Sequence, residues 1–288
     1  MQMEAKPFIK WAGGKRQILD ELMAGLPAFA NYHEPFLGGG ALFFRLESEN
    51  RLKQAFLSDY NEDLINAYSV IKNNVLELMA ELALPKYANN SQTYYQIRAS
   101  SPSLPVGRAA RFIYLNKTAF NGLYRVNSNG GFNVPFGRYE NPKILDSQNL
   151  MLVHRALQKD EIYCGDFSIV LKKAKRGDLV YFDPPYAPIS NTANFTGYTK
   201  QNFFENDQER LFKAFKELDS RGCLTMLSNS YSEYTRDLYA EFEPQTVYAN
   251  RAINCKGDKR GKIRELIVRN WEPQVTQRKL FEKIVATN

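Results

Sequence analysis

The tetrapeptide Asp183-Pro184-Pro185-Tyr186 combines an acid, two rigid prolines and an aromatic ring. It follows the strand-like run 178–182, so we expect it at the carboxyl end of a strand, where open α/β sheets bind their ligands. Two successive prolines fix φ and remove two N–H donors, which makes the turn stiff and directs its carbonyl groups outward. An acid, a carbonyl group and a ring in one small concavity suit a planar ring that carries an amino group. The alternative interpretation is an ordinary strand-terminating turn.

A glycine-rich turn, Glu34–Gly40, joins a predicted strand to a predicted helix. Glycine lets the backbone approach a ligand without a Cβ clash. The turn lacks the Gly-Lys-Ser/Thr sequence of a phosphate-binding loop, and Phe43 occupies the last glycine position of the dinucleotide-binding fingerprint. The turn therefore favours a ligand smaller than a dinucleotide.

Two further segments could contact a ligand. Asp59 closes the second predicted strand, where an acid can accept hydrogen bonds from ribose hydroxyls; it could instead cap the following helix. The N-terminal segment Pro7–Lys15 contains Trp11, two glycines and two lysines, which suit a charged, planar ligand. Alternatively, Trp11 belongs to the core and the lysines face solvent.

Composition limits the possible functions. The chain has 288 residues, of which 44% are hydrophobic, and a net charge of +7 that suits a polyanionic partner but is also found in ordinary basic proteins. Three cysteines without C-x-x-C spacing argue against a disulfide framework or a zinc site. Two histidines argue against a histidine-based metal centre or triad. Without a signal-peptide core or a transmembrane run, we expect a soluble cytoplasmic protein.

Hydrophobic periodicity predicts an α/β protein. Strands are predicted at 32–37, 53–58, 162–164, 179–182, 224–227, 245–248 and 265–269, and helices at 41–49, 61–72, 74–84, 92–99, 109–119, 167–175, 206–218 and 232–240. Strands that alternate with helices indicate a parallel sheet. We expect a sheet domain formed by 1–61 and 158–288. A mostly helical domain is expected at 62–157, with a hairpin turn at Asn129-Gly130-Gly131.

The order of these motifs along the chain resembles the Dam family of DNA adenine N6-methyltransferases, of the α class. The matching segments are Phe8–Lys15, Glu34–Gly40, Asp59, Asn121–Tyr139 and Asp183–Tyr186, with further matches at 186–190 and 192–196. The resemblance spans nearly the whole chain. It implies a Rossmann-like methyltransferase sheet with an inserted, mostly helical DNA-recognition domain that carries a β-hairpin.

The resemblance also implies S-adenosylmethionine as the cofactor, held near the carboxyl ends of the strands. The residues that would line its pocket are Trp11, Lys15, Phe36, Gly38, Gly40, Asp59, Asp166, Phe167 and Asp183. Asp59 would bind the ribose hydroxyls, and Asp166 and Phe167 would contact the adenine. For Asp166 a helix cap remains the alternative.

The target adenine would be flipped out of the duplex into the Asp183–Tyr186 pocket, because its N6 is inaccessible inside the stack. Asp183 and the Pro184 carbonyl group would accept hydrogen bonds from N6, and Tyr186 would stack on the base. The resemblance thus implies direct methyl transfer that depends on orientation and on well-placed acceptors, with no metal and no covalent enzyme intermediate.

Target recognition would fall to the hairpin region, with GATC as the implied site. The residues implied in DNA binding are Lys10, Phe120, Asn121, Leu123, Arg125, Asn127, Pro135 and Arg138. Arg125 and Lys10 would each contact a guanine, and Leu123 and Pro135 the thymine. Asn127 and Arg138 would bind phosphates. Phe120 would insert into the base stack; its alternative is a core position at the end of the preceding helix.

Two flexible-looking segments could add DNA contacts. Residues 187–200 could become ordered on DNA, and the basic segment 251–262 could touch its backbone or form a solvated turn. Two other functions remain open at this point. One is methylation of RNA or of a protein amide, which the hairpin disfavours; the other is DNA binding without catalysis, which the intact acidic and glycine motifs disfavour.

Overall fold

The structure is a computed structural model that describes residues 3–11, 13, 15–127, 130–185, 203–250 and 262–273. It contains a seven-stranded sheet with strand order β3-β2-β1-β4-β5-β7-β6. The strands are β1 (Tyr32–Glu34), β2 (Ala55–Asp59), β3 (Glu161–Cys164), β4 (Leu179–Phe182), β5 (Leu224–Ser230), β6 (Gln245–Asn250) and β7 (Lys262–Arg269). The first five strands are parallel, and β7 is antiparallel to both of its neighbours. The predicted α/β class is confirmed.

The helices cover the sheet and build the segment between β2 and β3. They are α1 (Leu19–Met23), α2 (Ala41–Ser48), α3 (Glu62–Leu82), α4 (Ser91–Ala99), α5 (Pro105–Thr118), α6 (Ser147–Ala156), α7 (Val170–Lys173), α8 (Glu205–Ser220) and α9 (Glu233–Leu238). Short 3-10 turns include Lys15–Gln17, Phe120–Gly122 and Phe167–Ile169.

The strand order reverses between β1 and β4. Tyr32 in β1 lies opposite Ala55 of β2 on one side and Leu179 of β4 on the other. From β1 the chain crosses through α2 to β2, whereas from β4 it crosses through α8 to β5 on the opposite side. Such a reversal opens a crevice at the carboxyl ends of the two strands, which here carry the glycine-rich turn and Asp183.

Both faces of the central strands are buried. In β4, Leu179 and Tyr181 belong to one apolar cluster, while Val180 and Phe182 belong to a second. This alternation follows from the opposite directions of successive side chains in a strand. Because helices cover both faces, the run reads as continuously apolar rather than alternating.

The helical segment between β2 and β3 shares its core with the sheet. Buried residues of α3 and α5 lie in the same cluster as Leu57 of β2 and Tyr32 of β1. Helix α3 joins the two helices predicted at 61–72 and 74–84, with a kink at Asn74 (φ −135°, ψ 38°). Helix α6 was not predicted. The division into two domains at 61/62 and 157/158 stays a prediction.

The predicted hairpin is less regular than a two-stranded ladder. Within its described residues, isolated antiparallel bridges join Ala119 to Phe136 and Val126 to Phe132. The Asn127 N–H donates to the Gly131 carbonyl group at 2.9 Å. Asn129 of the predicted turn lies outside the described residues.

Several boundaries differ from the sequence prediction for local reasons. Strand β1 ends at Glu34 rather than 37, since Pro35 cannot donate to a ladder. The helix predicted at 167–175 is a 3-10 turn followed by one turn of α-helix. Strands β5, β6 and β7 are each longer than predicted. No helix in the described ranges combines the length and apolarity needed to cross a membrane.

Asp178 joins the starts of the two central strands. Its Oδ1 accepts from the backbone and side-chain N–H groups of Asn31 at 3.1 and 3.0 Å. Its Oδ2 accepts from the Lys175 N–H at 2.9 Å and lies 3.0 Å from His33 Nε2. Burial favours a higher pKa for Asp178, but the His33 contact and the N–H donors lower its pKa overall. The carboxylate is thus stable in a buried position beneath the site.

We predict that Asp178→Ala lowers the free energy of unfolding by roughly 3–5 kcal/mol, because it leaves buried donors without an acceptor. Urea unfolding at neutral pH would measure this. Since the pKa of Asp178 is lower in the folded state, its contribution is present above the unfolded-state pKa and is lost as pH falls through the folded-state value. Exposed Asp237 is the control, and Asp237→Ala should change stability by less than about 0.5 kcal/mol. Equal effects of the two substitutions would contradict this role for Asp178.

Candidate active site

The glycine-rich turn leaves β1 at a buried acid. The Glu34 carboxyl group accepts from the Tyr32 hydroxyl at 2.9 Å and from the Phe43 N–H in the first turn of α2. Burial raises the pKa of Glu34 well above its ordinary value. The turn then adopts positive φ at Gly38 (48°) and Gly40 (67°). A Cβ at Gly38 would lie 2.7 Å from Cδ1 of Trp11, so this close approach requires glycine.

Asp59 lies against this turn. Its Oδ2 accepts from the Gly38 N–H and its Oδ1 from the Asn61 N–H, both at 2.9 Å. Helix α3 is capped by Asn61, whose Oδ1 accepts from the Leu64 N–H. The helix-cap interpretation of Asp59 is therefore wrong. Burial raises the pKa of Asp59, and the backbone donors oppose this rise.

Asp183 follows β4 and contacts a buried lysine. Lys15 Nζ lies 3.0 Å from Asp183 Oδ1 and 3.5 Å from Glu265 Oε2 of β7. The Ser228 hydroxyl of β5 donates to the same Asp183 oxygen at 3.3 Å, and the Tyr181 hydroxyl lies 2.7 Å from Ser228 Oγ. Burial raises the pKa of Asp183 to about 6, against the opposing effect of Lys15. Lys15, expected in the cofactor pocket, is thus an ion-pair partner of Asp183.

Aromatic rings border the same crevice. Phe36 stacks on Phe167 with centroids 5.5 Å apart, and Phe203 lies edge-on to Phe36 at 5.8 Å. The guanidinium group of Arg210 lies 4.9 Å from the centroid of Phe167. Phe203 was missed in the sequence, because a single aromatic residue before a helix is not a distinctive pattern.

Asp166 has a structural role. Its Oδ1 accepts from the Ser168 N–H at 3.0 Å, which caps the 3-10 turn Phe167–Ile169, and from Arg210 Nη2 at 2.9 Å. In this structure Asp166 therefore caps the 3-10 turn, as the alternative interpretation predicts. A cofactor contact for Asp166 stays a prediction.

Trp11 lies between the glycine turn and the helical segment. Its ring stacks on Tyr124 with centroids 5.7 Å apart and planes at 29°, and it lies 6.2 Å from Phe112 of α5. The Tyr124 hydroxyl donates to Asp63 Oδ2 at the start of α3. Trp11 therefore contacts the predicted cofactor turn and the predicted recognition segment at once.

Most residues predicted to bind DNA lie at the surface. Lys10, Phe120, Asn127, Pro135 and Arg138 are exposed, while Asn121, Leu123 and Arg125 are half-buried. Phe120 is 43% exposed, so the core alternative for it is wrong. The Phe120 N–H donates to the Pro135 carbonyl group at 2.9 Å, which brings the two sides of the hairpin region together.

The guanidinium group of Arg125 is held in place by one neighbour. Its Nε donates to Asn133 Oδ1 at 2.7 Å and its Nη2 to the Asn133 carbonyl group at 3.3 Å. The Asn133 N–H in turn donates to the Arg125 carbonyl group. A planar fork in a defined orientation is the arrangement that bidentate contacts require. Tyr186 and most of the basic segment 251–262 lie outside the described residues.

The network around Asp183 contains residues that sequence reasoning did not select. Ser228 lies beyond the predicted end of β5, and Glu265 lies in an edge-proximal antiparallel strand far from any motif. Neither residue lies in a motif or in an alternating pattern, so the sequence offered no signal for them. Within the described residues there is no group of three or more His, Cys, Asp or Glu side chains that could hold a metal ion.

Comparisons with known proteins identify the family of this chain. Residues 11–253 match the family model of D12 class N6 adenine-specific DNA methyltransferases. The chain is 46% identical to the type II methyltransferase M.MjaIII of Methanocaldococcus jannaschii over 93% of this chain and 100% of that protein. It is 42% identical to the type II methyltransferase M1.LlaDCHI of Lactococcus lactis subsp. cremoris over 94% and 97%.

A third relative carries the name that the motif order had suggested. The DNA adenine methylase of Escherichia coli K12 is 35% identical over 91% of this chain and 94% of its own length. The family model covers most of the chain. Each of the three relatives matches this chain over nearly the whole length of both proteins. The chain therefore belongs to the D12 class of N6 adenine-specific DNA methyltransferases, as a DNA-modifying enzyme.

Proposed function

We propose that this enzyme transfers a methyl group from S-adenosylmethionine to N6 of adenine in duplex GATC sites, with the adenine flipped into the Asp183–Tyr186 pocket. The observation that carries the proposal is the position of two half-buried acids, Asp59 and Asp183, around the carboxyl ends of β2, β1 and β4. Such a crevice is the usual ligand site of an open α/β sheet.

The groups around the crevice fit this cofactor. S-adenosylmethionine offers a ribose diol, an adenine ring and a positively charged amino acid portion. Asp59 is a half-buried acceptor for the diol, and Phe36 with Phe167 offers apolar ring surface for the adenine. Gly165, at the end of β3, has open space where a Cβ would project. When bound, the cofactor supplies the methyl group.

Asp183 would act as an oriented acceptor. Lys15 and Ser228 both approach its Oδ1, which holds the carboxylate in one orientation. The other carboxylate oxygen would then accept a hydrogen bond from the N6 amino group, together with the Pro184 carbonyl group. These acceptors would stabilise the positive charge that develops on nitrogen during methyl transfer. Stacking of Tyr186 on the base stays a prediction from the motif.

The exposed residues of the hairpin region support a duplex substrate. Asn133 binds one side of the Arg125 guanidinium group. The N–H groups on its other side would contact a guanine in the major groove. Leu123 and Pro135 would contact a thymine methyl group, and the half-exposed ring of Phe120 would fill the space left in the base stack. Lys10 would reach a second guanine.

A methyl-transfer assay tests the substrate and the sequence together. The same enzyme preparation would be given duplex DNA with one GATC site, duplexes with single substitutions in it, RNA of the same sequence and unrelated proteins. Methylation confined to GATC duplexes is the expected result. Equal methylation of RNA or protein would replace the duplex DNA proposal, and equal methylation of the substituted duplexes would remove GATC from it.

The ionisation of Asp183 should govern the pH dependence of transfer. An acceptor must be deprotonated, and since the pKa of Asp183 is about 6, the single-turnover rate should rise with pH and reach half its plateau near pH 6. Lys15→Met removes the cation that lowers this pKa, so the midpoint should move upward by roughly 1–3 pH units. Lys15→Arg keeps the cation and should restore most of the profile.

Asp183→Ala is the reference for this titration. On the plateau above about pH 7 the rate should fall on the order of 10²–10³-fold, by analogy with the loss of an oriented donor in an oxyanion hole, and the rise in rate near pH 6 should be lost. Circular dichroism and DNA binding would check that the variant is folded. A Lys15→Met midpoint equal to that of the unmodified enzyme would contradict the electrostatic role of Lys15.

Asp59→Ala should weaken cofactor binding without affecting DNA binding by the cofactor-free enzyme. Loss of an acceptor for ribose hydroxyls should cost roughly 1–3 kcal/mol of cofactor affinity, measured by calorimetry. Asp160→Ala is the control, because Asp160 is another acid that accepts a backbone N–H in this sheet, at 2.8 Å from Ala55, but it is buried before β3 and lies outside the crevice. An unchanged cofactor affinity in Asp59→Ala would exclude Asp59 from the pocket.

Arg125→Ala and Arg138→Ala should separate base reading from phosphate binding. Arg125→Ala should lose about 1–3 kcal/mol of discrimination at one guanine–cytosine pair, because a bidentate base contact carries sequence information. Arg138→Ala should weaken binding to all duplexes alike and lower the salt slope by roughly one unit. Transfer rates on substituted duplexes and binding at several salt concentrations would measure both effects. A uniform loss in Arg125→Ala would make Arg125 a backbone contact.

A further inference from the structure

Asn116, a fully buried residue of α5, contacts two separate parts of the predicted DNA-reading surface. Its Oδ1 accepts from the Lys10 N–H at 2.9 Å, and its Nδ2 donates to the Lys10 carbonyl group at 2.7 Å. The same Nδ2 donates to the Gly122 carbonyl group at 3.2 Å. One amide therefore binds both backbone groups of Lys10 and one backbone group of the hairpin region.

These contacts define the position of Lys10. A side-chain amide that binds the N–H and the C=O of one residue acts like the partner residue of a β-ladder, and it restrains translation and rotation of that backbone. The preceding residues Phe8 and Ile9 are buried, whereas the Lys10 side chain is exposed and its Nζ lies 4.6 Å from the ring centroid of Tyr139. The backbone of Lys10 is thus held in place, and its side chain extends toward the hairpin region.

The Lys10 side chain packs directly against Gly122. Gly122 has φ +62°, and a Cβ there would lie 2.5 Å from Cδ and 2.8 Å from Cβ of Lys10. Gly122 directly precedes Leu123, and Arg125 follows three residues after it. The distance between the Lys10 backbone and the start of the hairpin region is therefore set by the Asn116 amide and by the absence of a side chain at Gly122.

We infer that Asn116 is a specificity-positioning residue that sets Lys10 in register with the hairpin residues, so that both can contact adjacent base pairs of one site. The inference rests on the proposed reading roles of Lys10 and Arg125. Lys10 and the hairpin lie more than 100 residues apart in sequence. A shift of about 1 Å between them would misplace the base contact of Lys10 while the base contact of the hairpin is formed. An apolar residue at 116 would also leave three backbone groups without their partner.

The test compares single-turnover rates on GATC and on duplexes substituted at one base pair. Lys10→Ala and Arg125→Ala first identify the pair that each side chain reads. Asn116→Ala should then reduce discrimination by about tenfold at the pair identified by Lys10→Ala, and much less at the pair identified by Arg125→Ala. The double variant Lys10→Ala/Asn116→Ala should discriminate no worse than Lys10→Ala alone, since the two residues act through one contact.

Two further variants and a control separate positioning from folding. Asn116→Asp keeps the acceptor for the Lys10 N–H but loses both donors, and Gly122→Ala keeps Asn116 while displacing Lys10; each should lower discrimination at the same pair. Tyr114→Phe removes another buried hydrogen bond of α5, from its hydroxyl to the Ala88 carbonyl group, and should lower stability without changing discrimination. Thermal unfolding would be measured for all variants.

The outcomes are distinguishable. If Lys10→Ala lowers discrimination while folded Asn116→Asp and Gly122→Ala leave it unchanged, the inference about Asn116 is wrong and the reading role of Lys10 stands. If Lys10→Ala itself leaves discrimination unchanged, the proposed reading surface is wrong and the inference falls with it. A loss of discrimination in Tyr114→Phe equal to that in the Asn116 variants would reduce Asn116 to a general stability residue.

Discussion

The buried contact between Lys15 and Asp183 organises this active site. A lysine that is only 4% exposed needs a negative partner, because an unpaired ammonium group in an apolar interior is very costly. Lys15 precedes the first strand, while Asp183 follows the fourth, so their pairing draws the N-terminal segment across the crevice. The same pairing holds the carboxylate partly ionised in spite of its burial.

Once the N-terminal segment lies across the crevice, its other residues have defined neighbours. Phe8 packs edge-on against Tyr68 of α3 at 4.8 Å, Lys10 is bound by Asn116, and Trp11 lies between Gly38 and Tyr124. These contacts join the N-terminal segment to the glycine turn and to the segment between β2 and β3. Asp183, the glycine turn and the proposed DNA-reading surface therefore all contact one short segment.

The glycine turn needs a residue without a side chain where it contacts Trp11. Gly38 has positive φ and has no room for a Cβ beside Trp11, and its N–H donates to Asp59. A larger residue would displace the indole ring from Tyr124 and the N–H from the acid. A substitution there would thus disturb the proposed cofactor pocket and the proposed DNA-reading surface together, since Trp11 contacts residues of both.

Residue types and apolar periodicity were enough to predict the fold class and to select most of the residues that lie around the crevice. Rigid motifs such as Asp183-Pro184-Pro185 and Glu34–Gly40 have local conformational causes that are visible in residue types. Strand and helix positions followed from apolar periodicity. The kink at Asn74 and the end of β1 at Glu34 did not. Periodicity reports which face is buried and says little about where a hydrogen-bonded ladder stops.

The combinations of polar side chains that act together became visible only in the folded chain. Asp59 and Asp166 were each open to a capping interpretation, and the structure gave that role to Asn61 in one case and to Asp166 itself in the other. Ser228, Glu265 and Asn116 lie in no motif, and their respective partners Asp183, Lys15 and Lys10 lie between 45 and 250 residues away in sequence. Such pairings depend on which strands and helices become neighbours, a property of the packed chain that no local pattern contains.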